Sequence, residues 1–269
     1  MMRVKERAEP AVSGVLSGTR PEGARDEREA ERQVREMFSR IAPRYDFLNH
    51  FLSLSFDRLW RRRTAQRFLR LMRRPDARIL DVCCGTGDLA FALDRAREKA
   101  LCYAAGTRAS IVGCDFAEPM LGRAREKASR GGRRVEFAAG DGLRLPVRDA
   151  SFDLVTTAFG FRNLANYEGG LREFARVLRP GGELGILEFT EPKNGALAAF
   201  YRFYFSRILP RVGGAISGSG DAYSYLPESV RKFPGPEALK EMMQGAGFRE
   251  VNFERWTGGI VALHRGVRE

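Results

Sequence analysis

Arg78-Ile79-Leu80-Asp81-Val82-Cys83-Cys84-Gly85-Thr86-Gly87-Asp88-Leu89 is the stretch on which the fold turns. Its first five residues read as a short buried strand, and the cysteine–glycine turn after them opens a helix. Glycines at such a junction let backbone amides approach a ligand beside the partial positive charge of a helix start. Gly85, Gly87 and Ala90 also fit the GxGxxG/A dinucleotide fingerprint. By itself that match is weak, because a tight strand-to-helix turn wants glycine in any case.

Outward from this stretch the chain alternates. β-Rich runs occur at Arg78–Val82, Ser110–Cys114, Arg134–Ala138, Phe152–Thr157 and Glu183–Phe189, and helical patterns at Leu89–Lys99, Pro119–Ser129 and Gly169–Leu178. This rhythm predicts an α/β fold, a mostly parallel sheet with helices on both faces. Near the carboxyl end Glu237–Ala246 reads as a helix stopped by Gly247. Phe248–Glu254 and Ile260–His264 then flank a Thr257-Gly258-Gly259 turn. Such a hairpin predicts an antiparallel edge on the parallel sheet. Residues 1–28 are polar, with few large apolar groups, and read as a disordered tail before a folded unit over 29–269. Within that unit, 29–75 is helical, with breaks near Pro43 and Ser53–Ser55. Residues 197–232 look like an insertion that crowds Phe200, Tyr201, Phe203, Tyr204 and Phe205 together. That aromatic run is either core or the wall of a lipid-facing channel.

Lysine and arginine number 46 against 34 acidic residues, a net charge of +12. Nine arginines and one acid fall between Arg58 and Arg78. On a helical wheel Trp60, Phe68, Leu69, Leu71 and Met72 share one half, and Arg62, Arg63, Arg67, Arg70, Arg73 and Arg74 the other; Arg61 is the exception. The segment is a surface helix packed on its own core, or a helix lying on anionic lipid. No aromatic-and-basic recognition module accompanies it, so no nucleic-acid partner is expected. No apolar run approaches the ~18–20 residues that span a bilayer, and residues 1–30 lack the apolar core of a secretory signal. Cys83, Cys84, Cys102 and Cys114, with His50 and His264, match neither a zinc spacing nor a disulfide framework. A reducing cytosol and no bound metal are the expectations.

Three acids sharpen the glycine loop. Asp81 ends the first strand, Asp115 follows the second, and Asp141-Gly142 follows the third. All lie at carboxyl ends of parallel strands, where such sheets bind ligands. In that order they suit a cationic or polar group, a ribose diol and an adenine amino group, and so favour a nucleoside site.

With Asp153-Leu154-Val155 and Leu178-Arg179-Pro180-Gly181-Gly182, these residues resemble the Rossmann-like class I S-adenosylmethionine-dependent methyltransferases. Phe38-Ser39-Arg40-Ile41-Ala42-Pro43-Arg44-Tyr45-Asp46, Phe159-Gly160-Phe161-Arg162-Asn163 and Glu188-Phe189-Thr190-Glu191-Pro192 narrow the resemblance to the menaquinone/ubiquinone C-methyltransferases. Tyr223-Ser224-Tyr225-Leu226 and Val261-Ala262-Leu263-His264-Arg265-Gly266 do the same. The likeness runs from about Val34 to Gly266. It implies a seven-stranded sheet and S-adenosyl-L-methionine as methyl donor, with Asp81, Gly85, Thr86, Gly87, Asp115, Asp141 and Gly142 around it. The implied acceptor is a polyprenylated quinol, most directly demethylmenaquinol, with the benzoquinol step of ubiquinone synthesis as the alternative. A cytoplasmic enzyme transiently bound to the inner face of an anionic membrane follows from that substrate; a homodimer stays open. Four features depart from the family pattern: Cys83 stands at a usual glycine, Asp141-Gly142 at a frequent Asn-Ala, Ala158 at a serine of some members, and Arg97–Arg108 is longer than in typical members.

Methyl transfer from a sulfonium is an in-line displacement, so positioning supplies much of the rate. A ring carbon attacks well once a hydroxyl on its ring loses a proton, which calls for an acceptor and for phenolate stabilisation. Arg162 and Asn163, just past the fourth strand, are the candidate stabilisers, the arginine acting electrostatically. Asp46, His50 and Asp221 are the candidate proton acceptors, and Tyr225 is a further candidate. Other classes compete: a methyltransferase for another lipid, small phenol or RNA, or a scaffold without activity. A hydride-transferring enzyme is disfavoured, since no Tyr-x-x-x-Lys accompanies the loop.

Overall fold

The computed structural model describes residues 18–21, 23–101, 110–192, 195–204, 207 and 220–269. Of the expected disordered tail over 1–28, residues 1–17 and 22 lie outside the described residues, as do Cys102, Phe205 and the Gly/Ser stretch at 213–219. The rest is ordered, since Thr19 is buried with its hydroxyl bonded to Tyr167 and its N–H donating to the Leu164 carbonyl, and a helix begins at Glu27. Seven strands form one sheet in the order β3-β2-β1-β4-β5-β7-β6. They are β1 (Ile79–Val82), β2 (Ile111–Asp115), β3 (Val135–Ala139), β4 (Phe152–Ala158), β5 (Leu178–Phe189), β6 (Phe248–Trp256) and β7 (Val261–Arg268). β1 lies between β2 and β4, with Leu80 opposite both Val112 and Val155, and the first five strands run parallel. Strand order reverses beside β1, which opens a crevice at the carboxyl ends of β1 and β4.

The carboxyl-terminal hairpin forms, and its last strand takes the inner place. β7 pairs antiparallel with β5 on one side and with β6 on the other. Val261-Ala262-Leu263-His264 is buried on both faces, so it suits an interior strand. β6 alternates buried Phe248, Val251 and Trp256 with exposed charges, a composition that protects a free edge. β5 begins earlier than its apolar run, at Leu178. The Pro180-Gly181-Gly182 turn enters the strand through a register irregularity opposite Phe152–Leu154, with Gly181 at φ +76°.

Helices cover both faces. α5 (Asp88–Leu101), α6 (Glu118–Arg130) and α7 (Tyr167–Val177) connect the parallel strands. Asn166 caps α7, its side chain accepting the Gly169 N–H at 2.8 Å. Before the sheet come α1 (Glu27–Ile41), a 3₁₀ turn at Ala42–Arg44, α2 (Tyr45–Leu52), α3 (Phe56–Arg67) and α4 (Leu69–Met72). Between β5 and β6 come α8 (Gly195–Phe203), α9 (Gly220–Lys232) and α10 (Pro236–Gly245).

The arginine-rich segment corrects one expectation. It is two helices broken at Phe68, and its apolar half faces the protein. Trp60, Phe68, Leu71 and Met72 are buried, and Phe68 sits so close to β5 that a Cβ on Gly185 would lie 2.6 Å from its ring. Each such side chain gains ~1.5–3 kcal/mol by burial, so this apolar face belongs to the core and not to lipid.

Candidate functional site

The crevice predicted by strand order is an open cleft, walled by the carboxyl ends of β1–β4 on one side and by α1 on the other. Cys83, Gly85, Asp115, Asp141 and Gly142 line it, as does Asn163. Backbone geometry explains the loop composition. Cys83, Gly85 and Gly87 have φ of +54°, +54° and +86°, and a Cβ on Gly87 would sit 2.9 Å from the Phe91 and Phe137 rings. Gly160 is equally constrained, since a Cβ there would lie 2.4 Å from that of Cys83. Cys83 therefore does crowd the loop, and Gly160 yields the space.

Asp115 braces the loop from β2. One carboxylate oxygen accepts the Gly85 N–H at 2.8 Å and the other the Ala117 N–H at 2.9 Å. Burial pushes its pKa up, and those amides oppose the shift. Asp141 accepts the Leu143 N–H at 2.9 Å, which closes the turn that holds Gly142 against Leu164.

Asp81 is different. It is 1% exposed; one oxygen accepts the Thr156 hydroxyl at 2.9 Å, and the other has no partner. Burial raises its pKa to about 7, with Thr156 and Arg61 pulling the other way. It faces a small chamber behind the glycine loop that Tyr45 and Gly85 share with the main cleft. An orphaned buried carboxylate oxygen beside the cleft fits a ligand with a cationic amine at one end.

Asp46 and Thr86 form a latch. The Thr86 hydroxyl donates to Asp46, and Lys127 Nζ donates to Asp46 at 3.0 Å, Thr86 at 3.1 Å and Asp88 at 2.6 Å. The contact ties α2 to the glycine loop and to α6, and it commits Asp46 to an ion pair. A free proton acceptor is not what this geometry offers. His50 likewise points away from the cleft. Its Nδ1 hydrogen-bonds Asp57 at 2.8 Å, and its Nε2 lies 3.9 Å from Asp88. These three residues bring donor atoms within 4.8 Å of one another, but Arg61 and Lys127 already pair with the two carboxylates. Of the candidate acceptors, Asp221 starts α9, and its side chain lies outside the described residues.

Arg162 is turned inward. It is 5% exposed and lies outside the cleft lining; its Nη1 donates to Glu188 at 3.0 Å and to the Phe159 carbonyl at 2.5 Å, and its Nε to Ser229 at 3.3 Å. Burial works most strongly against its charge, yet Glu188 together with Tyr45 and Tyr225 outweighs that and holds the guanidinium above its ordinary pKa. Its charge is spent inside the protein, so it positions the β4 turn and does not face a phenolate. Asn163, its neighbour, does face the cleft, and its side-chain oxygen accepts the Tyr225 hydroxyl at 3.1 Å. Burial raises the Tyr225 pKa, which keeps that hydroxyl a donor.

Sequence reasoning missed the wall from α1 and the apolar lining. Glu31, Arg35 and Phe38 face the cleft from α1, opposite Phe159 and Leu164. Phe159 holds a left-handed φ of +61°, a conformation no pattern of residue types reveals.

The sequence profile of the ubiE/COQ5 methyltransferase family matches residues 25–268, nearly the whole chain. The chain belongs to this family. A demethylmenaquinone methyltransferase of Thermus thermophilus is 53% identical over 232 residues, which cover 86% of this chain and all of that protein. A ubiquinone/menaquinone biosynthesis C-methyltransferase of Azotobacter vinelandii is 40% identical over 244 residues, 90% of this chain and 92% of that one. Among solved structures, a SAM-dependent methyltransferase from Thermotoga maritima superposes with a TM-score of 0.59 at 20% identity, covering 87% of this chain and 99% of its own. That likeness establishes the seven-stranded methyltransferase fold. Family membership carries methyltransferase activity, and the sheet order places the cleft where such a fold binds its nucleoside.

Proposed function

We propose that this enzyme methylates a ring carbon of a polyprenylated naphthoquinol, converting demethylmenaquinol to menaquinol. The observation that carries the reading is the match at 53% identity to the whole length of a demethylmenaquinone methyltransferase. In this reading the ring carbon attacks the electrophilic methyl group of S-adenosylmethionine, the carbon–sulfur bond breaks to release S-adenosylhomocysteine, and the ring carbon's proton passes to water as the ring regains aromaticity. The chain's own residues bind and orient. Asp81 takes the amino group at its free oxygen, Asp115 the ribose hydroxyls, and Asp141 with Gly142 the base. Asn163, oriented by the Tyr225 hydroxyl that donates to its side-chain oxygen, presents its amide N–H to a phenolate in the cleft.

Of the expected lid over 29–75, α1 and α2 act as the lid, supported by the latch from Asp46 to Thr86, while α3 and α4 pack into the core. The insertion at 197–232 brings Tyr225 to the site. The acceptor's tail stays in lipid, so a cytoplasmic enzyme must dock reversibly at the membrane face. No helix among the described residues is long and apolar enough to cross a membrane.

Labelled methyl transfer to demethylmenaquinol and to its benzoquinol counterpart, measured side by side, tests the substrate. Faster turnover of the naphthoquinol is expected; preference for the benzoquinol would move the enzyme to the ubiquinone step named for its Azotobacter relative. A pH titration tests the site. Asp81 with a pKa of about 7 is partly protonated in the free protein, and a cationic amine binds its ionised form. Calorimetric affinity for S-adenosylmethionine should therefore rise between about pH 6 and 7.5, before the ligand's own amine loses its proton near ~8. Asp81→Asn should flatten that rise. A pH-independent affinity in the wild type would remove Asp81 from the amine site.

A further inference from the structure

Six large apolar side chains are left exposed among the described residues, and five of them fall within thirteen positions: Phe47, Phe51, Leu54, Phe56 and Leu59. They form the corner between α2 and α3. Phe47 and Phe51, one turn apart on α2, stack with ring centroids 5.9 Å apart, and Leu54 is the most exposed of all at 78%. A scatter of single apolar residues needs no explanation, but a contiguous group does.

The corner is built, not frayed. Leu54 and Ser55 hold left-handed φ of +50° and +61°, a conformation that side chains with a Cβ resist. The Ser55 N–H donates to the His50 carbonyl at 2.7 Å, and the Leu54 N–H to that of Phe51 at 3.1 Å. Beneath them buried Asp57 gathers the Ser53 hydroxyl at 2.7 Å, the His50 ring at 2.8 Å and the Arg61 guanidinium. This staple explains His50 and Asp57 without chemistry: they fix a strained turn whose outcome is an exposed leucine.

Charge selects what the corner meets. Arg58, Arg62 and Arg63 are exposed beside it and have no acidic partner among the described residues. The only acid between Phe47 and Arg63 is Asp57, which is buried and paired with Arg61. An apolar tip inside a collar of unpaired arginines matches an interface of acyl chains below and anionic headgroups above. We infer that the Phe47–Leu59 corner is the membrane-docking surface, its five apolar side chains entering the headgroup–acyl boundary of an anionic bilayer while the three arginines meet the headgroups. The inference rests on the quinol reading for its purpose and deepens it. It replaces the apolar half of the Arg58–Arg74 segment, which lies inside the protein.

The corner is also wired to the site. The helix that carries Phe47 and Phe51 carries Tyr45, which packs on Gly85, and Asp46, which latches Thr86. Behind Phe56, Trp60 packs on Phe159 of the cleft wall with centroids 6.0 Å apart. Docking thus bears on the helix whose Tyr45 and Asp46 close over the glycine loop.

Co-sedimentation of the full chain with phosphatidylcholine vesicles, with and without an equal share of phosphatidylglycerol, tests this. Wild type should bind the anionic vesicles and release as salt rises. Phe47→Ser with Phe51→Ser and Leu54→Ser should lower the partition coefficient more than ~tenfold, because three side chains lose their burial in the interface. Arg58→Gln with Arg62→Gln and Arg63→Gln should reduce binding to anionic vesicles and flatten the salt dependence. Both variants should keep the wild-type circular dichroism spectrum and affinity for S-adenosylmethionine. Partitioning of the serine variant equal to wild type would overturn the proposal. So would a wild-type dimer in sedimentation equilibrium that the serine changes turn into monomer, since the corner would then be a subunit interface. Vesicle binding is read without any acceptor, so a chain that docks through this corner yet fails to methylate quinols would refute the substrate and leave the surface standing.

Discussion

Arg162→Met is expected to destabilise the fold by about 3–5 kcal/mol, because it strands Glu188 as an unpaired buried charge. Glu188 is 0% exposed, accepts the Arg162 backbone N–H at 3.2 Å as well as its guanidinium, and has its pKa pushed up by burial even with the arginine present. Without the arginine the carboxyl folds as the neutral acid, while in the unfolded chain it ionises near its ordinary 4.5. The folded state then holds the extra proton, so the variant's deficit should be small at acid pH and grow as pH rises above about 4.5. Chemical denaturation across that range reads the trend directly. Arg162→Met combined with Glu188→Met should recover much of the loss, since replacing both charges leaves nothing unpaired. A single variant with wild-type stability and no turnover would return Arg162 to the role of phenolate stabiliser that its position in the sequence suggests.

That contrast marks what was legible. The glycine loop, Asp81, Asp115 and Asp141 were readable because each is local: a strand end followed at once by a turn, in a rhythm that fixes where strand ends converge. Side-chain direction was not. Nothing in Phe161-Arg162-Asn163 tells which of two adjacent polar residues faces the cleft, because the answer depends on Glu188, 26 positions away on β5. The latch has the same character, joining Asp46 to Lys127 across 81 positions. Periodicity found the amphipathic segment after Arg58, but a wheel cannot say what covers its apolar half. Here the sheet does, through Phe68 over Gly185. The exposed corner escaped for the opposite reason. Phe47, Phe51 and Leu54 look like ordinary helix-core residues until the structure leaves them uncovered.

Asp115→Ala should weaken S-adenosylmethionine binding about tenfold to more than a hundredfold, the range for losing ~1.5–3 kcal/mol of charged hydrogen bonding. A carboxylate offers about four lone-pair sites, and the Gly85 and Ala117 amides occupy one on each oxygen. The two that remain can serve the two ribose hydroxyls. The same residue also braces the glycine loop, so a weakened variant alone would not separate direct contact from a slackened loop. Ligand truncation does. If Asp115 holds the ribose, the alanine change should cost far more affinity for S-adenosylhomocysteine than for its analogue lacking the 2′- and 3′-hydroxyls. Equal losses for both ligands would mean that the carboxylate acts through the Gly85 amide alone. Asp115→Asn should fall between alanine and wild type, since it keeps one acceptor oxygen and loses the charge. Wild-type affinity in a folded Asp115→Ala protein would take the residue out of the nucleoside site altogether and leave it only its brace on the Gly85 and Ala117 amides.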